Sequence, residues 1–252
     1  MQSFLGVTSG TVMLLAAAVV ERKSLEKKKD EFISVASHEL RTPLTSARLL
    51  TQLLQRRFEK KKDRQSSLYL ARINNQIDRL SRLVIELLDL RKIQEGKMDF
   101  RMEKFNIYDL VKEIAYDLSK SSNRKIVIKE KHNFKVTADR DRIGQVITNL
   151  ASNAIKYSPK NKQIIIRIIK EDGFIKIAIQ DFGQGIPEEE HQKIFGRFYQ
   201  IEGGSRKDSM GLGLFIAKEI VDRHKGKIWV ESPSLIGNRK VKGSTFYFTL
   251  PR

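Results

Sequence analysis

Apolar residues in the first third of the chain recur at helical spacing. From Ser24 to about Phe58, Ile33, Leu40, Ala47 and Leu54 return every seventh residue, with Ala36, Leu44, Leu50 and Phe58 on adjoining positions. This pattern predicts one long helix. After the polar connection E-K-K-K-D-R-Q-S, the residues Leu70, Ile73, Ile77, Leu80, Val84 and Leu87 alternate steps of three and four, the repeat of a supercoiled bundle. Two such helices joined by a short loop make an antiparallel hairpin. A lone hairpin cannot cover both apolar stripes well, so two copies are expected to pair across a two-fold axis as a four-helix bundle.

The pattern changes after Q-E-G-K, Gln94 to Lys97. Asn106 reads as the N-cap of an amphipathic helix. I-V-I-K-E-K and F-K-V-T-A-D read as strands, and D-R-D-R-I-G-Q-V-I-T-N-L-A-S-N-A-I-K-Y as a helix stopped by Ser158–Pro159. Q-I-I-I-R-I-I-K-E-D-G-F-I-K-I-A-I-Q predicts a β-hairpin turning at Asp172–Gly173. A glycine-rich irregular stretch runs from Asp181 to Met210, then a helix from about Gly211 to His224, then two strands, K-I-W-V-E-S and S-T-F-Y-F-T-L. Hairpins of strands with helices between them predict an α+β layer with the helices on one sheet face. Trp229 is expected in the core, and His132, His191 and His224 at ordinary surface or helix-end positions.

The N-terminus differs from the rest of the chain. Phe4 to Val20 carries no charge and is followed at once by E-R-K-S-L-E-K-K-K. Its length lies at the lower limit of the ~17–25 residues that span a bilayer as a helix. The basic residues would put the domains after them in the cytoplasm. A secretory signal or a buried helix is the competing reading, although no basic n-region precedes the run. Residues 1–23 are therefore expected to be a transmembrane segment, residues 24–95 the helical hairpin and residues 98–252 the α+β domain. The 48 Lys+Arg against 30 Asp+Glu leave a net charge of +18, compatible with nucleic acid, an anionic membrane or a phosphate-bearing partner. The absence of cysteine excludes disulfides and thiolate metal sites.

Candidate chemistry then falls at four places. In S-H-E-L-R-T-P-L, His38 lies about 140° from the stripe of its helix and faces solvent. Pro43, one turn on, has no N–H for the helix ladder and costs on the order of 3 kcal/mol. A broken local rule beside an exposed titratable group marks a working site. In T-N-L-A-S-N-A-I-K-Y, Asn149, Asn153, Lys156 and Tyr157 share one helix face. That face is either a polar solvent surface or two amide oxygens for Mg²⁺, an ammonium for phosphate and a ring for a nucleoside. In D-F-G-Q-G-I-P, Gly183 and Gly185 allow close backbone approach, and Asp181 at a strand end can accept a hydrogen bond from an exocyclic amine. In M-G-L-G-L-F-I-A-K, Gly211 and Gly213 open a helix whose N-terminal N–H groups suit an anion. Each glycine motif is weak alone. Between them, I-F-G-R-F-Y-Q reads as an aromatic anchor and E-G-G-S-R-K-D-S as a lid carrying Arg206 and Lys207.

In this order the motifs resemble those of the sensor histidine kinases of two-component signalling. S-H-E-L-R-T-P-L is similar to that family's H box, N-L-A-S-N-A-I-K-Y to its N box, D-F-G-Q-G to its G1 box, F-G-R-F to its F box and G-L-G-L to its G2 box. The resemblance implies a dimerising all-α phosphoacceptor hairpin, then an α+β two-layer sandwich of the Bergerat ATPase type with a mixed five-stranded sheet and three main helices. It implies His38 as the acceptor of the γ-phosphate of ATP, Glu39 as the acidic neighbour that takes or orients the proton on the other ring nitrogen, and Thr42 as the residue that positions water to dephosphorylate a response regulator. It implies Mg²⁺ on Asn153 with Asn149 nearby, phosphate on Lys156, the nucleoside on Tyr157 and the adenine amine on Asp181. Gly183, Gly185, Ile186, Phe195, Arg197, Phe198, Gly211, Leu212, Gly213 and Leu214 complete the implied nucleotide set. The G1 box often has Asn where this chain has Phe182. No sensor module fits between Val20 and His38, so the apolar start is expected to be the last span of a longer sensor, or the mark of a sensorless kinase.

The implied partners are a second copy, a response regulator and the bacterial cell membrane, with the kinase domains cytoplasmic and no nucleic acid. Alternatives are a phosphatase-biased protein acting through Thr42, a non-catalytic adaptor, and a basic nucleic-acid scaffold. The last is disfavoured because the charge is not gathered on one element. A Ser/Thr/Tyr kinase is excluded by the lack of a V-A-I-K strand and an H-R-D loop.

Overall fold

The computed structural model describes residues 40, 43–58, 63–129, 134–159, 163–201, 210–236 and 239–252. The chain divides into two compact units, Met1–Lys97 and Met98–Arg252. His38, Glu39, Thr42, Arg206, Lys207, His132 and the apolar run from Phe4 to Val20 lie outside the described residues. Among the described residues no helix is long and apolar enough to cross a membrane.

The first unit is the expected hairpin. Helix α1 (residues 43–58) runs antiparallel to α2 (Arg64–Gln94), as the cross-helix pairs show: Arg48 meets Asp78 at 3.3 Å, while Asn74 donates to Gln55 at 3.0 Å and pairs with Thr51. Asp63 caps α2 by accepting from the Ser66 N–H at 3.1 Å. The helix ends where Gly96 turns to φ +67 and the Lys97 N–H closes on the Lys92 carbonyl, with Arg91 and Lys92 in the last turn. The heptad splits into two lines. Leu70, Ile77 and Val84 are buried, whereas Ile73 and Leu80 are 46% and 43% exposed. On α1, Leu49, Leu50, Leu53 and Leu54 are also exposed. One seam closes the hairpin and the other stays open.

The second unit is a two-layer α/β sandwich. A short ribbon pairs β1 (Met102–Asn106) antiparallel with β3 (Lys135–Asp139). The main sheet has the order β2-β4-β5-β9-β6, built from β2 (Ile126–Lys129), β4 (Ile164–Glu171), β5 (Phe174–Gln180), β9 (Thr245–Pro251) and β6 (Ile228–Glu231). Only the β2–β4 pair is parallel, so the sheet is mixed. Period-two alternation turns Ile164, Ile166 and Ile168, then Ile175, Ile177 and Ile179, then Phe246, Phe248 and Leu250 to one face, all buried. Helices α3 (Ile107–Ser122), α4 (Arg140–Tyr157) and α5 (Gly213–Arg223) cover that face with Leu110, Val111, Ile143, Ile147, Leu150, Ile216 and Ile220.

Three details depart from expectation. The apolar pattern does not predict β1, because M-E-K-F-N has no apolar alternation and gains its order by pairing with β3. Nor does it predict the hairpin of β7 (Ser234–Ile236) and β8 (Arg239–Val241). Trp229, expected in the core, is half-buried on the opposite sheet face, stacked on Tyr247 with ring centroids 5.1 Å apart. Its strand neighbour Val230 points into the core instead.

Candidate functional site

Helix α4 is held at both ends. At its start Asp139 accepts from the Arg142 N–H at 2.9 Å and from the Arg101 N–H at 2.8 Å. His224 explains how Asp139 is fixed: its Nε2 accepts the Asp139 N–H at 3.0 Å, and its Nδ1–H donates to the Ile220 carbonyl at 2.8 Å. His224 caps the end of α5, one of the two placements expected of it, but it is a buried pin, 5% exposed, rather than an ordinary helix-end residue. At the far end Ser158 leaves the helical region, its hydroxyl accepting from the Phe182 N–H at 3.1 Å. Between these ends the apolar face of α4 lies on the sheet, which turns Asn149, Asn153, Lys156 and Tyr157 outward from the core. The Asn149 amide donates to the Gly213 carbonyl at 3.0 Å, leaving its oxygen available. The Asn153 carboxamide has no protein partner among the described residues. Lys156 sits with its ammonium 5.0 Å from the ring of Tyr157, which is 49% exposed.

The loop after β5 closes on this helix end. A Cβ at Gly183 would lie 2.7 Å from the Tyr157 carbonyl oxygen, so only glycine lets the loop approach α4 so closely. Asp181 is 4% exposed, and one carboxylate oxygen accepts from the Gly183 N–H at 2.7 Å and the Ser244 N–H at 3.2 Å. Burial pushes its carboxyl above the usual range, against those two N–H groups. Gly185 and Ile186 come next on the same loop, half-buried, with Gly185 at φ +86.

The third segment is the start of α5. Leu212 at the N-cap supplies no side-chain hydrogen bond, so the first-turn N–H groups lack the usual cap. Gly211, at φ +71, brings this turn against the preceding segment; a Cβ there would meet the Tyr199 carbonyl oxygen at 2.5 Å. Phe195 is buried edge-on against Phe246, and Leu212 is fully buried, so these two act as anchors of the backbone beneath the site. Arg197 stacks its guanidinium 4.8 Å from the Phe215 ring, and Leu214 is half-buried beside it in sequence. Phe198 is 58% exposed with φ 58, a conformation rare for an aromatic residue and a mark of strain at a working surface.

Asn149 on Gly213 therefore joins α4 to α5, and Gly183 under Tyr157 joins the β5 loop to α4. Helix α4 thus carries both joints: the uncapped start of α5 lies at Asn149, the loop of the buried Asp181 carboxylate lies at Tyr157, and Asn153 and Lys156 lie on the helix between them. Ser158 was legible as the helix stop before Pro159 but not as a loop anchor, and His191, Ser232 and Ser244, which also hold the loops, carried no sequence signal, since a lone serine or histidine in a loop has no period or spacing.

Residues 28–96 match the family described as His Kinase A (phospho-acceptor) domain, and residues 138–252 the family described as histidine kinase-, DNA gyrase B-, and HSP90-like ATPase. The catalytic domain of the histidine kinase ThkA is 32% identical over 61% of this chain and 96% of its own, with a TM-score of 0.51. This chain belongs to the sensor histidine kinase family. Sensor histidine kinase WalK of Bacillus subtilis is 33% identical over 92% of this chain and 38% of its own length. A histidine kinase ThkA in complex with the response regulator protein TrrA superposes with a TM-score of 0.55, at 28% identity, over 88% of this chain and 61% of its own. The chain spans 38% to 66% of the length of curated relatives that it matches.

The raised pKa sets the direction of one prediction. Because Asp181 titrates above its unfolded value, its contribution to stability is present at low pH and lost as pH rises through the folded pKa. Where the folded carboxyl is ionised its burial is a cost, so Asp181→Asn should leave the melting temperature of the nucleotide-free protein unchanged or higher. The same variant should weaken nucleotide binding ~10-fold or more, the scale of a lost hydrogen bond to a charged group. Thermal unfolding and calorimetric titration check both; a destabilised variant with intact affinity would reverse the assignment.

Proposed function

We propose that the chain binds Mg-ATP in its α/β unit, autophosphorylates His38 and passes the phosphoryl group to an aspartate of a response regulator. The observation that carries this reading is the meeting of the α4 polar face, the Asp181 loop and the uncapped start of α5 through Asn149–Gly213 and Gly183–Tyr157. Asp181 accepts the adenine amine, Tyr157 packs on the nucleoside, and Lys156 with the α5 N–H groups meets the phosphates. The family's ATPase description and the ThkA–TrrA complex support nucleotide and regulator as partners.

The donor set suits magnesium. Asn153 and Asn149 offer neutral amide oxygens, and no cluster of three His, Cys, Asp or Glu that could hold a metal occurs among the described residues. An ion held so sparsely takes its remaining ligands from phosphate oxygens and water, the habit of Mg²⁺, and when bound it neutralises charge on the transferring phosphates. A ring nitrogen of His38 attacks the γ-phosphorus, the bond from that phosphorus to the β-γ bridging oxygen breaks, and ADP leaves. Glu39 holds the proton on the other ring nitrogen, so the attacking nitrogen keeps its lone pair. The open seam of Ile73 and Leu80 supports a second copy of the hairpin as its cover, giving a four-helix bundle. The uncharged run from Phe4 to Val20, with basic residues after it, supports a membrane anchor with the kinase on the cytoplasmic side.

Incubation with γ-labelled ATP should label the protein with an acid-labile phosphate that His38→Gln abolishes; label surviving in that variant would mean another acceptor. Replacing both Ile73 and Leu80 by Asp puts charge in the open seam. Sedimentation should then find a monomer where the wild type is a dimer, and a wild type that sediments as a monomer would remove the bundle.

A further inference from the structure

The loop that carries Asp181 is held at its far end by Ser232 and His191, outside the motif residues assigned above. Ser232, just past β6, accepts the Ile186 N–H on its hydroxyl oxygen at 2.8 Å and donates that hydroxyl to the Gly243 carbonyl at 3.0 Å. The same hydroxyl fills the space that Gly185 leaves, since a Cβ there would lie 2.9 Å away. The other side of the Ile186 peptide is also held: His191 Nε2–H donates to the Ile186 carbonyl at 3.1 Å. One link further, the Ser244 carbonyl accepts the Asp181 N–H at 2.9 Å while the Ser244 N–H reaches the Asp181 carboxylate at 3.2 Å. Ser232 therefore ties the far end of the Asp181 loop to the Gly243–Ser244 turn that grips its near end.

We propose that Ser232 and His191 are positioning residues for nucleotide binding, clamping the Ile186 peptide so that the Asp181 carboxylate stays in register for the adenine amine. The inference rests on the nucleotide reading above and deepens it. Both groups lie outside the motifs that carry the chemistry, and neither needs to touch ATP. Without the Ser232 hydroxyl, the Ile186 N–H and the Gly243 carbonyl lose a partner together. Gly185, at φ +86, is then free to relax toward other conformations. The loop becomes an ensemble in which only a fraction has Asp181 in register, and apparent affinity falls by that fraction.

The test compares the wild type with Ser232→Ala, His191→Ala and His191→Gln, the last keeping an N–H donor. Nucleotide affinity is read by calorimetric titration with ADP, and KM and kcat for ATP by autophosphorylation. Ser232→Ala should raise the ADP Kd and the ATP KM together, ~10-fold, with kcat at saturating ATP within about twofold of wild type. His191→Ala should do the same to a smaller degree, His191→Gln should recover most of the loss, and the double alanine variant should cost less than the product of the two singles because both act on one peptide. A merely structural role would lower the active fraction and kcat and leave KM alone. That outcome, or a failure of both alanine variants to fold, overturns the proposal. A wild type that binds ADP while both alanine variants bind equally well overturns it and leaves the function standing. A wild type that binds no nucleotide overturns both.

Discussion

The α/β unit holds one carboxyl group at the end of its central strand, where burial opposes its ionisation and backbone N–H groups partly offset that. Asp181 ends the central strand β5, 4% exposed, and a buried carboxylate costs several kcal/mol unless hydrogen bonds replace its water. Two backbone N–H groups supply part of that replacement, one from its own loop and one from the turn before β9. The oxygen they leave over is the feature that can discriminate a ligand, because a buried acceptor rewards a matching donor far more than an exposed one does. Much of the surrounding architecture keeps this arrangement in place. The β5–β9 pairing brings Ser244 to the carboxylate, Gly183 fits under the last turn of α4, and Ser232 secures the loop from behind.

The same constraint relates the helices to the site. The proposed roles of Asn149 and Asn153 require α4 to be fixed relative to the Asp181 loop. The helix is secured at its start by Asp139 and His224 and at its end by Ser158, whose hydroxyl holds the Phe182 N–H. Thus α4, α5 and the β5 loop are tied through polar contacts at their ends while their apolar faces share one core. The hairpin unit obeys another logic. Its polar pairs, Arg48–Asp78 and Asn74–Gln55, set the antiparallel register, while one of its two heptad lines remains exposed. Buried or half-buried polar pairs specify register at some cost in stability, which suits a stalk completed by association.

How much of this was legible in the sequence depends on which signals have a period. Long helices and the Ile-rich strands announce themselves by spacing, so α2, α3, α4, β4, β5 and β9 fall close to where the pattern puts them. The polar face of α4 was readable because four residues repeat at helical intervals. By contrast, β1 and the β7–β8 hairpin are too short for any pattern and exist by pairing. Trp229 was misplaced because strand alternation states which residues share a face but not which face is covered. His224 falls at a helix end as expected, but its pinning contacts were not legible, because they join Ile220 to Asp139, 85 residues away in sequence. Ser232 shares that blindness, its partners lying in a loop before it and a turn after it.

The most direct test of the buried-carboxylate account compares ATP with inosine triphosphate, which carries a carbonyl oxygen where adenine carries its amine, in calorimetric titration of the wild-type protein. Setting an acceptor against the Asp181 carboxylate should weaken binding by at least ~10-fold, with the phosphates and ribose unchanged. Equal affinity for the two nucleotides would contradict it.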